Sequence, residues 1–164
     1  MTSAQDSATK HVEIHTDGAC IGNPGPGGWA AIMRALDGQT ELKRDQRVGS
    51  TIHTTNNRME LIAVIDALET VAPTWPVTVY TDSQYVSKGA TDWLPGWKAK
   101  GWKTSTRKPV ENRDLWMRLD DLISKHSVTF EWVRGHAGNE LNELADDLAN
   151  KAAAAVELQG PAER

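Results

Sequence analysis

Asp17, Glu60, Asp82 and Asp146 are the residues of this 164-residue chain whose type and placement could do chemistry together. Asp17 ends the alternating run VEIHTD, and Asp82 directly follows the strand-like VTVYT. Glu60 falls in the first turn of a helix-patterned segment, and Asp146 lies early in an Ala-rich helical stretch. Each has an ordinary structural explanation. Asp17 could open a turn. Asn57 and Glu60 have the spacing of a capping pair, and the helix dipole also favours Glu60. Asp82 could cap a helix starting near Ser83. Asp146 could be a surface charge. Brought together, however, carboxylates repel, and one must take a proton unless a cation is present. Mg²⁺ suits a few carboxylates with waters and phosphate oxygens. Two such ions roughly 3.5–4 Å apart can activate a water and stabilise a leaving oxygen in one in-line displacement.

The elements that must gather these acids are legible as periodicities. Residues 11–17 alternate as a strand, residues 29–36 form a second apolar run, and residues 39–49 read as an edge strand after the turn Asp37-Gly38. In 57–71, Met59, Ile62, Ile65 and Leu68 have helical spacing, and Pro73 and Pro76 close that helix. VTVYT at 77–81 is a short strand of buried type. A helix over 112–125 places Leu115, Leu119 and Leu122 in register. A last strand covers 128–133 and a final helix 142–156. The order predicts an α/β fold with a mixed sheet and helical cover. In open sheets, ligands collect beyond the carboxyl ends of strands where the strand order reverses. Asp17 and Asp82 meet there if the first and fourth strands are neighbours.

Composition bounds the rest. The chain is long enough for one domain with a real core, here expected over 11–156, with a disordered lead at 1–10 and a frayed tail at 157–164. No apolar run approaches the ~20 residues needed to span a bilayer, and the first ten residues lack the apolar stretch of a secretion signal. One cysteine, Cys20, excludes an internal disulfide and a Cys-rich zinc site. A cytoplasmic monomer is the expectation. The net charge of −4 argues against a broadly basic protein that coats nucleic acid, but not against a local basic patch. Such a patch exists: WKAKGWKTSTRK at 97–108 carries Lys98, Lys100, Lys103, Arg107 and Lys108 and no acid. It reads as a phosphate-binding handle or as a solvated basic loop over a Trp cluster.

The ordered set TDGAC with GNPGPGG, TTNNRMEL, TDSQYV, GWKAKGWK, KPVENRDLW, and GHAG followed by NELAD resembles bacterial type 1 ribonuclease H. The resemblance runs from about residue 11 to 153. It implies a ribonuclease H-like fold, a five-stranded mixed sheet with helices on both faces. It implies metal-dependent endonucleolytic cleavage of the RNA strand of RNA–DNA hybrids, leaving 5′-phosphate and 3′-hydroxyl ends. The implied cofactor is Mg²⁺, two ions per site with substrate, with Mn²⁺ as a possible substitute. Asp17, Glu60, Asp82 and Asp146 become the metal-binding quartet; Asp146 stands ten residues after His136, and Asp147 points elsewhere, to solvent. His136, between Gly135 and Gly138, becomes a proton shuttle or product-release aid.

Metal-activated water does not need the 2′-hydroxyl, so selection of RNA must come from binding. The resemblance puts Cys20 (through its backbone), Asn23, Asn56, Asn57 and Gln84 along the minor groove of the hybrid. It puts Thr55 and Asn112 in a DNA phosphate pocket. The handle then offers Trp93, Trp97, Lys98, Lys100, Trp102 and Lys103 to the DNA strand. Leu94-Pro95-Gly96 departs from the family pattern where a helix enters the handle, because Pro disfavours helical geometry before it. Trp29, Trp75, Trp116 and Trp132 are assigned to the core or its edge. Three other readings stay open: a hybrid-binding module without catalysis, a nuclease of the same fold acting on another nucleic acid, and a purely structural α/β domain.

Overall fold

The computed structural model describes residues 9–134 and 139–159. Strands β1 (Lys10–Cys20), β2 (Gly25–Asp37) and β3 (Thr40–Thr54) form an antiparallel meander. Helix α1 (Asn56–Glu69) crosses to β4 (Val77–Thr81), which lies parallel to β1. A helical connection follows: α2 (Gln84–Lys88), a π-helical turn (Gly89–Trp93), α3 (Leu94–Ala99) and, after an irregular loop, α4 (Arg113–Lys125). Strand β5 (Val128–Trp132) adds to β4 in parallel, and α5 (Glu140–Gln159) ends the described chain. The sheet order β3-β2-β1-β4-β5 reverses direction between β1 and β4. Among the described residues, no helix is long and apolar enough to cross a membrane.

Strand alternation sends the side chains of β1 to two different layers. Val12 and Ile14 join Val77 and Val79 under α1 and α4 in the larger core. Helix α1 buries Met59, Leu61, Val64, Ile65 and Leu68, so its apolar residues surround it rather than forming one stripe. On the opposite face, Ala30 and Ile32 meet Ala145 and Ala149 of α5. The pattern implied helical cover, and the resemblance implied cover on both faces.

The stretch GNPGPGG, whose glycines favour a loop over a strand, is half strand. Only residues 21–24 bend; Gly25–Gly28 begin β2, Gly25 pairing with β3 and Gly27 and Gly28 with both neighbours. The reason is crowding. A Cβ on Gly28 would strike the Ala149 carbonyl oxygen and come within 2.6 Å of Ala153 N and 2.8 Å of Ala152 Cβ. Glycine here lets α5 lie directly on the sheet. Proline 95 is accommodated because it occupies the first turn of α3, where no intrahelical donor is lost. The helix ends also shift: α4 starts at Arg113, with Asn112 in the left-handed region at φ 58°, and α5 spans 140–159.

Because the groups facing Gly28 are mostly helix backbone, the clash has no cheap relief. Gly28→Ala is expected to destabilise the protein by about 1–3 kcal/mol, the scale of overpacking a tight site, measured by urea unfolding.

Candidate active site

Strands β1 and β4 run parallel in the register Thr16↔Thr81, so Asp17 and Asp82 are the next residues on adjacent strands. Glu60 reaches them from α1. Its approach depends on Gly18, where a Cβ would lie 2.5 Å from Glu60 N and 2.7 Å from the Met59 carbonyl carbon. Absence of that side chain lets the first turn of α1 press against β1. The result is a cluster in which one carboxylate oxygen each from Asp17, Glu60 and Asp82 lies within 4.8 Å of the others. Asp146, on α5, is not one of these three, but it stands near enough to help raise the pKa of Asp17. Asp147 instead faces solvent and pairs with Lys151 at 2.9 Å.

Capping does not account for these acids. Thr55, not Asn57, caps α1, its hydroxyl accepting from Arg58 N at 3.3 Å. Ser83, not Asp82, caps α2, accepting from Val86 N at 3.1 Å. Both caps fall one or two residues from the expected ones, and the carboxylates are thereby left to the cluster.

Electrostatics make the cluster unfavourable as four anions. Asp17 is only 4% exposed and Glu60 5%. Burial, then the Asp82 charge, pushes the Asp17 carboxyl up to about 8. Burial, then the Asp17 and Asp82 charges, holds Glu60 well above the usual carboxylate range. Glu60 Oε1 has no hydrogen-bond partner among the described residues. A buried oxygen without a donor, set among like charges, fits a hard divalent cation, and an all-oxygen donor set selects Mg²⁺ or Mn²⁺ over softer metals.

Residues 9–154 match the family described as RNase H. The chain belongs to the ribonuclease H family. It is 61% identical over 135 residues to a ribonuclease H of Jannaschia sp. (strain CCS1), covering 82% of this chain and 86% of that one. It is 56% identical over 146 residues to a ribonuclease H of Ruegeria sp. (strain TM1040), covering 89% and 93%. Among solved structures, LC9-RNase H1, a type 1 RNase H with the type 2 active-site motif, superposes with a TM-score of 0.77 at 34% identity. That superposition covers 90% of this chain and 74% of the other. The fold is accordingly the ribonuclease H fold, and the chain carries a hydrolase, nuclease assignment.

The other site residues expected from sequence fall around the acids in two groups. Near the start of α1, Asn23 Oδ1 accepts from Asn56 N at 2.9 Å, tying the bend after β1 to the helix. The Cys20 thiol is turned inward, toward the Gly25 and Thr54 carbonyl oxygens. Asn57 and Gln84 lie at the first turns of α1 and α2. In the second group, Thr55 and Asn112 are bridged by Arg58, whose Nη1 donates to Asn112 Oδ1 at 3.2 Å and whose guanidinium pairs with Asp114. Arg58 was not singled out in the sequence; its place one residue past the capped asparagines was the available signal.

The basic segment is anchored by aromatic rings. Trp97 packs edge-on against the fully buried Trp116 at 5.2 Å and lies 5.7 Å from Trp93, while Tyr85 accepts from Trp116 Nε1 at 2.8 Å. Lys98 pairs with Asp120 of α4 at 3.3 Å, so the segment's charge is partly met. Among the described residues, Lys100, Lys103, Arg107 and Lys108 have no ion-pair partner. Trp132 is 42% exposed, more than a core-edge residue, because it ends the edge strand β5; its indole N–H donates to the Asp82 carbonyl oxygen at 3.1 Å. His136 lies outside the described residues.

Raised carboxyl pKa values set the sign of a pH effect. The folded state holds its proton on Asp17 up to about pH 8, whereas the unfolded state releases it near 3.8. The metal-free protein is therefore expected to lose stability as pH rises between these values. Thermal unfolding in EDTA should show that decline, Mg²⁺ should offset it, and Asp17→Asn should flatten it.

Proposed function

We propose that the chain hydrolyses the RNA strand of RNA–DNA hybrids, with Asp17, Glu60, Asp82 and Asp146 holding two divalent cations. The convergence within 4.8 Å of three carboxylates, from β1, from the residue after the parallel strand β4 and from the first turns of α1, carries this reading. When bound, Mg²⁺ or Mn²⁺ supplies positive charge that lowers the pKa of a water and stabilises the leaving oxygen. The protein's part is positional. Buried Asp17 and Glu60 form the floor of the site, and the part-exposed Asp82 and Asp146 form its rim toward solvent. Attack of water at phosphorus with departure of the 3′-oxygen leaves a 5′-phosphate and a 3′-hydroxyl. His136 takes or returns a proton at the departing product, a role for which imidazole is the common choice.

Substrate selection follows from the two groups beside the acids. Cys20 backbone, Asn23, Asn56, Asn57 and Gln84 line the path of the minor groove, where 2′-hydroxyls are displayed. Thr55 and Asn112 receive a DNA phosphate, with Arg58 supplying charge between them. Trp93, Trp97, Lys98, Lys100, Trp102 and Lys103 take the DNA strand farther along. Lys100 and Lys103, exposed and without ion-pair partners among the described residues, are suited to phosphate, and the edge-on and tilted rings beneath them keep the platform ordered.

A panel of hybrid, duplex RNA, duplex DNA and single strands, each assayed in Mg²⁺, Mn²⁺ and EDTA, tests the proposal. Cleavage is expected only of RNA in the hybrid and only with metal. Asp17→Asn should reduce kcat by ~10² or more, the scale of losing one electrostatic stabiliser. His136→Ala should slow turnover without abolishing it. Near-wild-type cleavage by purified Asp17→Asn would refute the assignment. Replacing Lys100 and Lys103 together by Ala should reduce the slope of log K against log salt by about 2, measured by hybrid binding in Ca²⁺.

A further inference from the structure

A buried polar bracket stands behind the acids. His15 lies on β1 two residues before Asp17, on the same face, and is 4% exposed. Its ring stacks on Tyr80 of β4 with centroids 4.7 Å apart and planes within 9°. Its Nδ1 is 2.9 Å from Oδ1 of Asn142, itself 4% exposed in the first turn of α5. Asn142 Nδ2 donates to the Tyr80 carbonyl oxygen at 3.2 Å. A carbonyl can only accept, so the amide must turn Nδ2 toward Tyr80 and Oδ1 toward His15. Oδ1 also only accepts, so His15 Nδ1 carries the hydrogen. On its other side, Nε2 lies 3.3 Å from Glu13 Oε1. The start of α5 is closed by Asn139, whose Oδ1 accepts from Asn142 N at 3.1 Å.

Helix α5 needs such a bracket. Its central seam is Ala145, Ala149 and Ala153 over Gly28 and Ala30, with Ile32, Leu141 and Leu148 supplying the larger apolar contacts around it. Ridges into grooves fix the position of a helix only when the side chains are large enough to interlock. Asn142 and Asp146 are four residues apart, so they share one helix face a turn apart. Holding Asn142 therefore holds Asp146.

We propose that His15 is a positioning residue that, through Asn142, sets the rotation and height of α5 and hence the place of Asp146 beside Asp17. The inference rests on the reading of the four acids as a cation site and adds a residue that touches neither cation nor substrate. Titration of Mn²⁺ into the substrate-free protein by calorimetry tests it, read beside Tm and hybrid kinetics. His15→Phe keeps the stack on Tyr80 and loses the donor; it is expected to weaken Mn²⁺ affinity and lower kcat about 10-fold each, the scale of an outer-shell loss. KM for the hybrid should stay within about twofold. Asn142→Ser should do the same, and the double variant should be no worse than either alone. His15→Gln, whose amide N–H can reach Asn142, should recover most of the affinity.

Wild-type Mn²⁺ affinity in His15→Phe and Asn142→Ser, whatever their Tm, would overturn the proposal. If His15→Phe does not fold, Asn142→Ser decides, since serine is tolerated early in a helix. Metal-dependent cleavage by the wild type with unaffected variants removes this inference alone. A wild type that neither binds Mn²⁺ nor cleaves the hybrid removes the cation-site reading, and this inference with it.

Discussion

Like charges forced together out of water are the constraint around which this fold is arranged. Asp17 and Glu60 are almost wholly buried, Asp82 and Asp146 act on them at short range, and no arrangement of four anions there is favourable without a cation. The surrounding structure must therefore hold the acids together against their own repulsion. It does so from four separate elements. Two acids come from adjacent parallel strands, whose ladder fixes them in register. The third depends on the absent side chain at Gly18, and the fourth on the close seat of α5 over Gly28. The apolar core beneath, built from Ile14, Val79, Leu61, Val64 and Ile65, supplies the rigidity that such a cluster requires.

That division explains which features were legible in the sequence. Strand ends and helix starts are local patterns, so each acid could be placed on its element, and the strand–helix order implied a mixed sheet. Caps were displaced by a residue or two because Thr55 and Ser83 compete with their polar neighbours for the same orphan amides. Those small shifts matter, since they separate a capping carboxylate from one left for other work. Gly25–Gly28 read as loop because glycine is poor in strands. Pairing on both sides and the pressure of α5 override that preference. The contact between His15 and Asn142 joins residues 127 apart in sequence, and no periodicity announces it.

Charge is distributed with the same economy of position. The protein is net negative, yet Lys100, Lys103, Arg107 and Lys108, none ion-paired among the described residues, gather on one segment whose Trp97 and Trp102 pack onto the core. Left-handed backbone at Trp102 and Arg107, with φ near 65°, folds the segment back on itself, and the bridge between Lys103 and Pro109 closes it. A platform ordered in this way can present charge at a fixed distance from the acids. A polyanion then meets attraction at the platform and, at the acids, attraction only through bound cations. Under the proposed function, placement of the two regions makes productive binding and metal occupancy depend on each other.

Helix α5 shows how precision arises where the central seam of a packing is made of small residues. Small residues let a helix approach closely, and close approach is what brings Asp146 to Asp17. The same smallness removes the interlocking that would prevent a slide or a rotation. Directional bonds supply what shape does not. An asparagine whose amide is oriented by a strand carbonyl admits one partner geometry, and a buried ring stacked on β4 provides it. Because the amide and the ring belong to different elements, neither can shift without leaving a polar group unsatisfied in a dry interior, at a cost of ~1–3 kcal/mol. Specificity of position in this corner therefore comes from polar satisfaction, while the hydrophobic contacts beside it supply proximity.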